Sequence, residues 1–272
     1  MVFMKGDCMD NRKELGGTFD TEASRYDKMR PGYADELFQA IFDYIKIGEN
    51  SRVVEVGSGS GQATLPVLKT GCQLTAVEYG ENFSKMLMEK FGGFKGFNVI
   101  TGKFEDADLE NDSYDLIFSA TAFHWVPEEI GYPKVFSALK KGGAFARFAN
   151  RPRNSQDDPE LASEIDALYN DYYNKAYDIK SGTKKWFTEE KAKEISQIPA
   201  KYGFTDIQYK LFYRERVFTA DEYIQLLGTY SDHIAIEEKI RNEFFSKIAD
   251  AINRHGGKIT ISDTMDLELA RK

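Results

Sequence analysis

Two carboxylates frame the stretch of this chain best suited to hold a ligand. Glu55 stands two residues before Gly57-Ser58-Gly59-Ser60-Gly61, and Glu78 lies 21 residues beyond Gly57. Glycine is needed where a backbone turns sharply under a ligand, because a Cβ would obstruct both the turn and the approach. A helix start after such a turn presents unpaired N–H groups, which suit an anionic or polar guest. Glu78 ends the run Gln73-Leu74-Thr75-Ala76-Val77, at the distance where the second strand of a βαβ unit brings an acid to a ribose. A vicinal diol offers two donors, and a carboxylate has acceptors for both; a solvated strand-end glutamate is the alternative. A dinucleotide turn needs glycines at its first, third and sixth positions, but the sixth position counted from Gly57 is Gln62. That spacing counts against a nicotinamide oxidoreductase.

A further group with chemical potential is Phe123-His124-Trp125-Val126. His124 has two readings. It can take a proton from a substrate hydroxyl, since its unperturbed pKa lies near neutrality, or it can orient and pack beside Trp125. Trp125 reads as a wall of the site rather than a participant in chemistry.

The elements that must position these residues follow from periodicity. Val53–Val56 reads as a buried strand, Ala63–Leu68 as a helix and Gln73–Glu78 as a second strand. Ala34, Leu37, Phe38, Ile41 and Ile45 recur at helical spacing, as do Phe83, Met86, Leu87 and Phe91. Phe97–Ile100 and Tyr114–Ala120 are predicted strands three and four. Pro133–Lys141 is predicted as a helix, Gly142-Gly143 as the turn that stops it, and Ala144–Ala149 as strand five. Phe204–Val217 alternates as strand six, and Thr219 opens a helix with acids in its first turn. Ile234–Arg254 reads as a further helix, and Ile259–Ile261 with Met265–Ala270 as the last strand.

Composition narrows the function. The chain has 272 residues, 42% hydrophobic and 29% charged, with a net charge of −8. That balance is ordinary for a globular protein and counts against a nucleic-acid partner, which is held by clustered Lys and Arg. Apolar runs are too short to span a membrane, and residues 1–20 hold no continuous hydrophobic segment, so neither anchor nor leader is expected. Cys8 and Cys72 form no metal-ligand or disulfide pattern and fit a reducing cytoplasm. Oligomeric state is not legible.

Several motifs in order carry a family resemblance. Glu55 followed by Gly57-x-Gly59-x-Gly61 looks like the first motif of the class I S-adenosylmethionine-dependent methyltransferases. Tyr26 with Arg30-Pro31-Gly32-Tyr33, the Phe123–Val126 string, Leu139-Lys140-Lys141-Gly142-Gly143 and Leu227-Gly228-Thr229-Tyr230-Ser231 resemble the trans-aconitate methyltransferase-like and type 11 groups. The resemblance implies an α/β, Rossmann-like fold: a seven-stranded, mostly parallel sheet with helices on both faces and a helical cap. It divides the chain into an N-terminal lid segment (1–33), a cofactor-binding core (34–150) and a cap insertion (151–203). Residues 204–272 then hold the last two strands of the core, with inserted cap helices at 220–254.

The cofactor implied is S-adenosyl-L-methionine. The residues carried over to it are Tyr26 and Arg30 from the lid; Glu55, placed at the ammonium; Gly57, Ser58, Gly59 and Gly61; Glu78 and Tyr79; Phe104 and Glu105, at the adenine; and Ser119 and Ala120. Lys103 stands where relatives usually have the adenine-binding Asp, so Glu105 or the N–H groups of Phe104 and Glu105 are left to read the base. Trp125, Tyr230 and His233 are carried over to the substrate. The implied function is methylation of a small molecule at a carboxylate or hydroxyl; Arg151, Arg153, Tyr230 and His233 are candidates to hold a carboxylate. No Asn/Asp-Pro-Pro-aromatic motif or Pro-Cys nucleophile for nucleic-acid methylation is present. A binding module without catalysis is the reading of another class.

Overall fold

The computed structural model describes residues 32–155, 157–179 and 187–272. Tyr26 and Arg30, both expected at the cofactor, lie outside the described residues. In chain order the elements are α1 (Asp35–Tyr44), β1 (Arg52–Val56), α2 (Thr64–Leu68), β2 (Gln73–Glu78), α3 (Glu81–Phe91), β3 (Phe97–Thr101), β4 (Tyr114–Ala120), α4 (Glu128–Ala138) and β5 (Leu139–Asn154). Then come α5 (Pro159–Leu168), α6 (Glu189–Ser196), β6 (Thr205–Thr219), α7 (Ala220–Leu227), α8 (Ser231–Ile234), α9 (Glu238–Arg254) and β7 (Lys258–Arg271). Short 3-10 turns at Phe104–Asp106, Phe123–Trp125 and Ile198–Tyr202, and a π-helical turn at Tyr169–Asn174, join them.

The seven strands form one sheet in the order β3-β2-β1-β4-β5-β7-β6, and β3, β2, β1, β4 and β5 pair in parallel. Main-chain bonds from Gly142 to Lys272 and from Ser155 to Thr260 require β7 to run against β5. This is the expected α/β, mostly parallel architecture. Contacts divide the chain into two units, and the division falls within β5, β6 and β7. The core unit holds the described residues up to Asn150, Phe187–Phe212 and Met265–Lys272; the other holds the described residues of Arg151–Trp186 and Tyr213–Thr264.

In the core unit both faces of the sheet are covered, which is why β1 reads as a near-continuous apolar run. Leu37, Phe38 and Ile41 of α1 cluster with Val53, Leu74, Leu116 and Phe148. Val54, Val56, Val77 and Ile117 cluster with Tyr132, Val135 and Phe145. Each such side chain contributes roughly 1.5–3 kcal/mol on burial. Asp115 pins the amino ends of the strands: it accepts from the Arg52 N–H at 2.8 Å and from Lys140 Nζ. In the other unit Leu161, Tyr173, Leu226, Phe244, Ile248 and Ile252 form a separate core.

Three boundaries differ from the sequence reading. The helix expected at Pro133–Lys141 is α4, five residues earlier at its start and ended at Ala138. Gly142-Gly143 does not stop a helix but lies inside β5. Tyr114 pairs with Leu139 and Leu116 with Ala144, so three extra residues of β5 bulge out, with Gly142 at φ +81°. The helix expected at Ile234–Arg254 is split by residues 235–237, and β7 is one strand rather than two pieces.

Candidate functional site

At the carboxyl end of β1 the backbone leaves the sheet through three left-handed glycines, Gly57 at φ +71°, Gly59 at +54° and Gly61 at +89°. Gly57 N–H still bonds to Val77 O of β2 at 2.8 Å, so the turn starts flush with the sheet edge. A Cβ on Gly57 would lie 2.4 Å from Ala122 Cβ, and one on Gly61 would lie 2.4 Å from the Phe91 ring. Conformation and space each require glycine at these two positions.

Glu78 organises the turn. Its Oε2 accepts from Gly59 N–H at 2.7 Å and its Oε1 from Gly80 N–H at 2.9 Å, with only 7% of the residue exposed. These two bonds let the acid shape the loop from the end of the neighbouring strand. Lys90 Nζ donates to Ser60 O at 2.7 Å, holding the loop from α3. Tyr79 is half exposed beside Glu78.

Glu55 lies under the turn with no exposed surface. Oε2 accepts from Thr64 Oγ1 at 2.6 Å, whereas Oε1, and Ser58 Oγ nearby in the turn, make no hydrogen bond among the described residues. Burial pushes the carboxyl up to about 8, opposed by the Thr64 and Ser58 hydroxyls and helped by the Glu78 charge. An orphaned buried acceptor is costly unless a ligand donor completes it. A primary ammonium does so.

β4 closes the edge on the other side. Ser119 Oγ donates to Val56 O at 2.8 Å, tying β4 to the end of β1, and Ala120 pairs with Phe148 of β5. Phe104 and Glu105 start the 3-10 turn after β3; Asp106 and Ala107 N–H return to Lys103 O, while the Phe104 and Glu105 N–H groups have no backbone acceptor among the described residues. Glu105 O is held instead, with Ala107 O, by Lys134 Nζ of α4. Lys103 is exposed.

His124 and Trp125 follow β4 in a 3-10 turn, their rings 5.0 Å apart. Beside them Thr121, at φ +56°, is a β-branched residue in the left-handed region, a true outlier. Its Oγ1 meets the Tyr33 hydroxyl at 2.7 Å and the Asn150 N–H at 3.3 Å, and Asn150 Oδ1 is buried without a partner among the described residues. Lys134, Thr121 and Asn150 were not legible as site residues, because each acts through a partner far away in sequence, and Thr64, nine residues from Glu55, reads only as part of the helix after the turn.

Tyr230 and His233 fall in the other unit. His233 is buried; Nδ1 lies 2.9 Å from Asp232 Oδ1, and Nε2 lies 2.9 Å from the Tyr169 hydroxyl. Tyr173 donates to Asp232 Oδ2 at 2.8 Å. Despite burial, which acts the other way, the bonds from His233 and Tyr173 hold the Asp232 carboxyl well below the usual carboxylate range. Both ring nitrogens of His233 are thus engaged inside the fold.

An acid under a glycine turn with an open oxygen, a second acid at the next strand end and open N–H groups after the third fit the amino-acid end, ribose and base of S-adenosylmethionine. The sheet order is that of the fold of class I S-adenosylmethionine-dependent methyltransferases. Residues 54–146 match the family model described as a methyltransferase domain. An uncharacterized methyltransferase of Schizosaccharomyces pombe is 26% identical over 228 residues, covering 83% of this chain and 84% of its own length. Among solved structures, a putative type II methyltransferase of Anaeromyxobacter dehalogenans is similar at TM-score 0.64 and 20% identity, covering 89% of this chain and 97% of its own. The phosphoethanolamine N-methyltransferase 2 of Haemonchus contortus, solved with phosphomonomethylethanolamine and S-adenosylhomocysteine, is similar at TM-score 0.56 and 14% identity, covering 99% of this chain and 61% of its own.

Proposed function

We propose that this methyltransferase acts on an oxygen of a small hydroxyl-bearing molecule. The observation that carries the reading is the character of the joined ends of β4 and β5 in the core unit: Thr121, His124, Asn150 and the Tyr33 hydroxyl are hydrogen-bonding groups of the kind that orient a neutral alcohol or phenol. A carboxylate acceptor would call for a cation such as Arg, and the candidates Arg151 and Arg153, next along β5, fall in the other unit. S-adenosylmethionine supplies a methyl group on an already activated sulfonium, so the protein has chiefly to align the acceptor and exclude water. In this reading Glu55 and Glu78 hold the cofactor, Tyr79 and the N–H groups of Phe104 and Glu105 meet its base, and Trp125 walls the acceptor site. His124 takes the hydroxyl proton as the new C–O bond forms and the C–S bond breaks.

Kinship with the trans-aconitate-like group, a cytoplasmic location and the lack of a nucleic-acid partner belong to the same reading; the first rests on Phe123–Val126 and the last on the charge of −8. No described helix is long and apolar enough to cross a membrane. The test is incubation with methyl-labelled cofactor and a panel of phenols, aliphatic alcohols and carboxylic acids. Label on hydroxyls, with turnover falling on the order of 10²-fold or more in His124→Gln at neutral pH and recovering at high pH, is the expected result. Turnover of carboxylic acids alone, indifferent to His124→Gln, would restore the organic-acid acceptor; cofactor binding with no turnover of any class would favour the binding module.

A further inference from the structure

We propose that Glu55 is protonated in the free protein and gives up that proton to solvent when the ammonium at the amino-acid end of the cofactor binds. The inference rests on the cofactor assignment and adds a proton to its binding equilibrium.

The geometry carries it. Glu55 is fully buried in a strand covered on both faces, and a buried carboxylate is disfavoured against its neutral acid unless charge or hydrogen bonds compensate it. Its compensation is slight: one hydrogen bond, from Thr64 Oγ1 at 2.6 Å, and the nearby Ser58 hydroxyl, which favours the anion less than burial disfavours it. Around it, β2 brings Glu78, whose charge opposes a second anion. β4 brings Ser119, which donates to Val56 O, and Asp115, which belongs with Arg52 and Lys140 at the opposite end of the sheet. α3 brings Lys90, which donates to Ser60 O in the turn. The open Oε1 is the place for a cationic donor. Once an ammonium sits there, the carboxylate form is the favoured one, by the same rule that lowers an acid beside a cation. The balance is simple: acid plus ammonium gives an ion pair and one free proton, with no bond to carbon changed. The position of free Glu55, at about 8, places the exchange across neutral pH.

The experiment is calorimetric titration with S-adenosylhomocysteine at about pH 6.5 in two buffers of different ionisation enthalpy; the ligand's amino group stays protonated there. The expected result is an enthalpy that differs between buffers by about one proton's ionisation, and an affinity that rises close to tenfold per pH unit between roughly pH 5.5 and 7.5. 5′-Methylthioadenosine, which lacks the amino-acid end, is expected to bind with no buffer dependence, and so is S-adenosylhomocysteine with Glu55→Gln. If that variant binds too weakly to measure, the wild-type contrast between the two ligands carries the result. Equal enthalpies in both buffers for S-adenosylhomocysteine overturn the proton exchange and leave the cofactor assignment standing. Absence of binding by the wild-type chain overturns both.

Discussion

Glu78 uses one carboxylate for two tasks, and the tasks predict a compound loss. Its oxygens accept the N–H groups of Gly59 and Gly80, so Glu78→Ala removes two charge-assisted bonds that shape the turn as well as the carboxylate proposed to meet a diol. Hydrogen bonds to charged groups contribute about 1.5–3 kcal/mol each, so S-adenosylhomocysteine affinity is expected to fall at least about tenfold, measured by calorimetry. Unchanged affinity would mean that the diol is held elsewhere. Gly57 offers a sharper test, because its two requirements separate. Gly57→Ala meets Ala122 Cβ at 2.4 Å and also forces a side chain at φ +71°. Stability to urea is expected to drop by about 1–3 kcal/mol. Ala122→Gly in the same chain should recover the part due to the clash and leave the conformational part, a coupling that a double-mutant cycle isolates.

At the scale of elements, the bulge in β5 is the feature with the clearest energetic consequence. A Cβ on Gly143 would lie 2.9 Å from Tyr114 O and 3.0 Å from Lys140 O, both backbone atoms that cannot swing aside. Gly143→Ala is therefore expected to cost on the order of 1–3 kcal/mol in urea unfolding, more than a surface substitution of the same size. Helix α7 gives a smaller, local effect. Thr219 and Glu222 form a reciprocal capping box, and Thr219→Ala should cost about 1 kcal/mol, seen as a modest drop in the melting temperature.

These two elements also mark the limit of what the sequence reveals. The helix start at Thr219, the apolar stripe of α1 and the strand, turn, helix and strand from Val53 to Glu78 are local patterns, and all were legible. The bulge was not, because two adjacent glycines after an apolar helix satisfy a helix stop as well as a strand irregularity. In the site, Glu55, the glycines and Glu78 were readable by spacing. The Thr121 contacts with Tyr33 and Asn150 span 88 and 29 residues, and the Arg147 bond to Glu268 spans 121; no periodicity announces such pairs.

For the whole molecule, the buried Glu55 links pH, stability and ligand. Its carboxyl is raised from 4.5 in the open chain to about 8 in the fold, so the folded state binds the extra proton. For an acid shifted upward, the stabilising contribution is complete below about pH 4.5 and is lost as pH rises through about 8. Other displaced groups act outside this window. Asp232 is held low, so its contribution is present above about 3.8 and lost only as pH falls further, and the hydroxyls of Tyr44 and Tyr132, raised to about 12 by burial, matter only above about 10. The ligand-free protein is therefore expected to lose stability between about pH 5 and 8 relative to Glu55→Gln, whose buried amide does not titrate. Saturating S-adenosylhomocysteine should cancel the trend, because in the bound fold the acid is ionised, as it is in the open chain above about pH 5, so the rise in affinity with pH offsets the loss. Parallel melting curves of wild type and Glu55→Gln, with and without ligand across this range, measure both slopes. Superimposable pH profiles for the two ligand-free proteins would show that Glu55 is already ionised in the fold, and that the glycine turn holds its carboxylate by contacts other than the Thr64 hydroxyl.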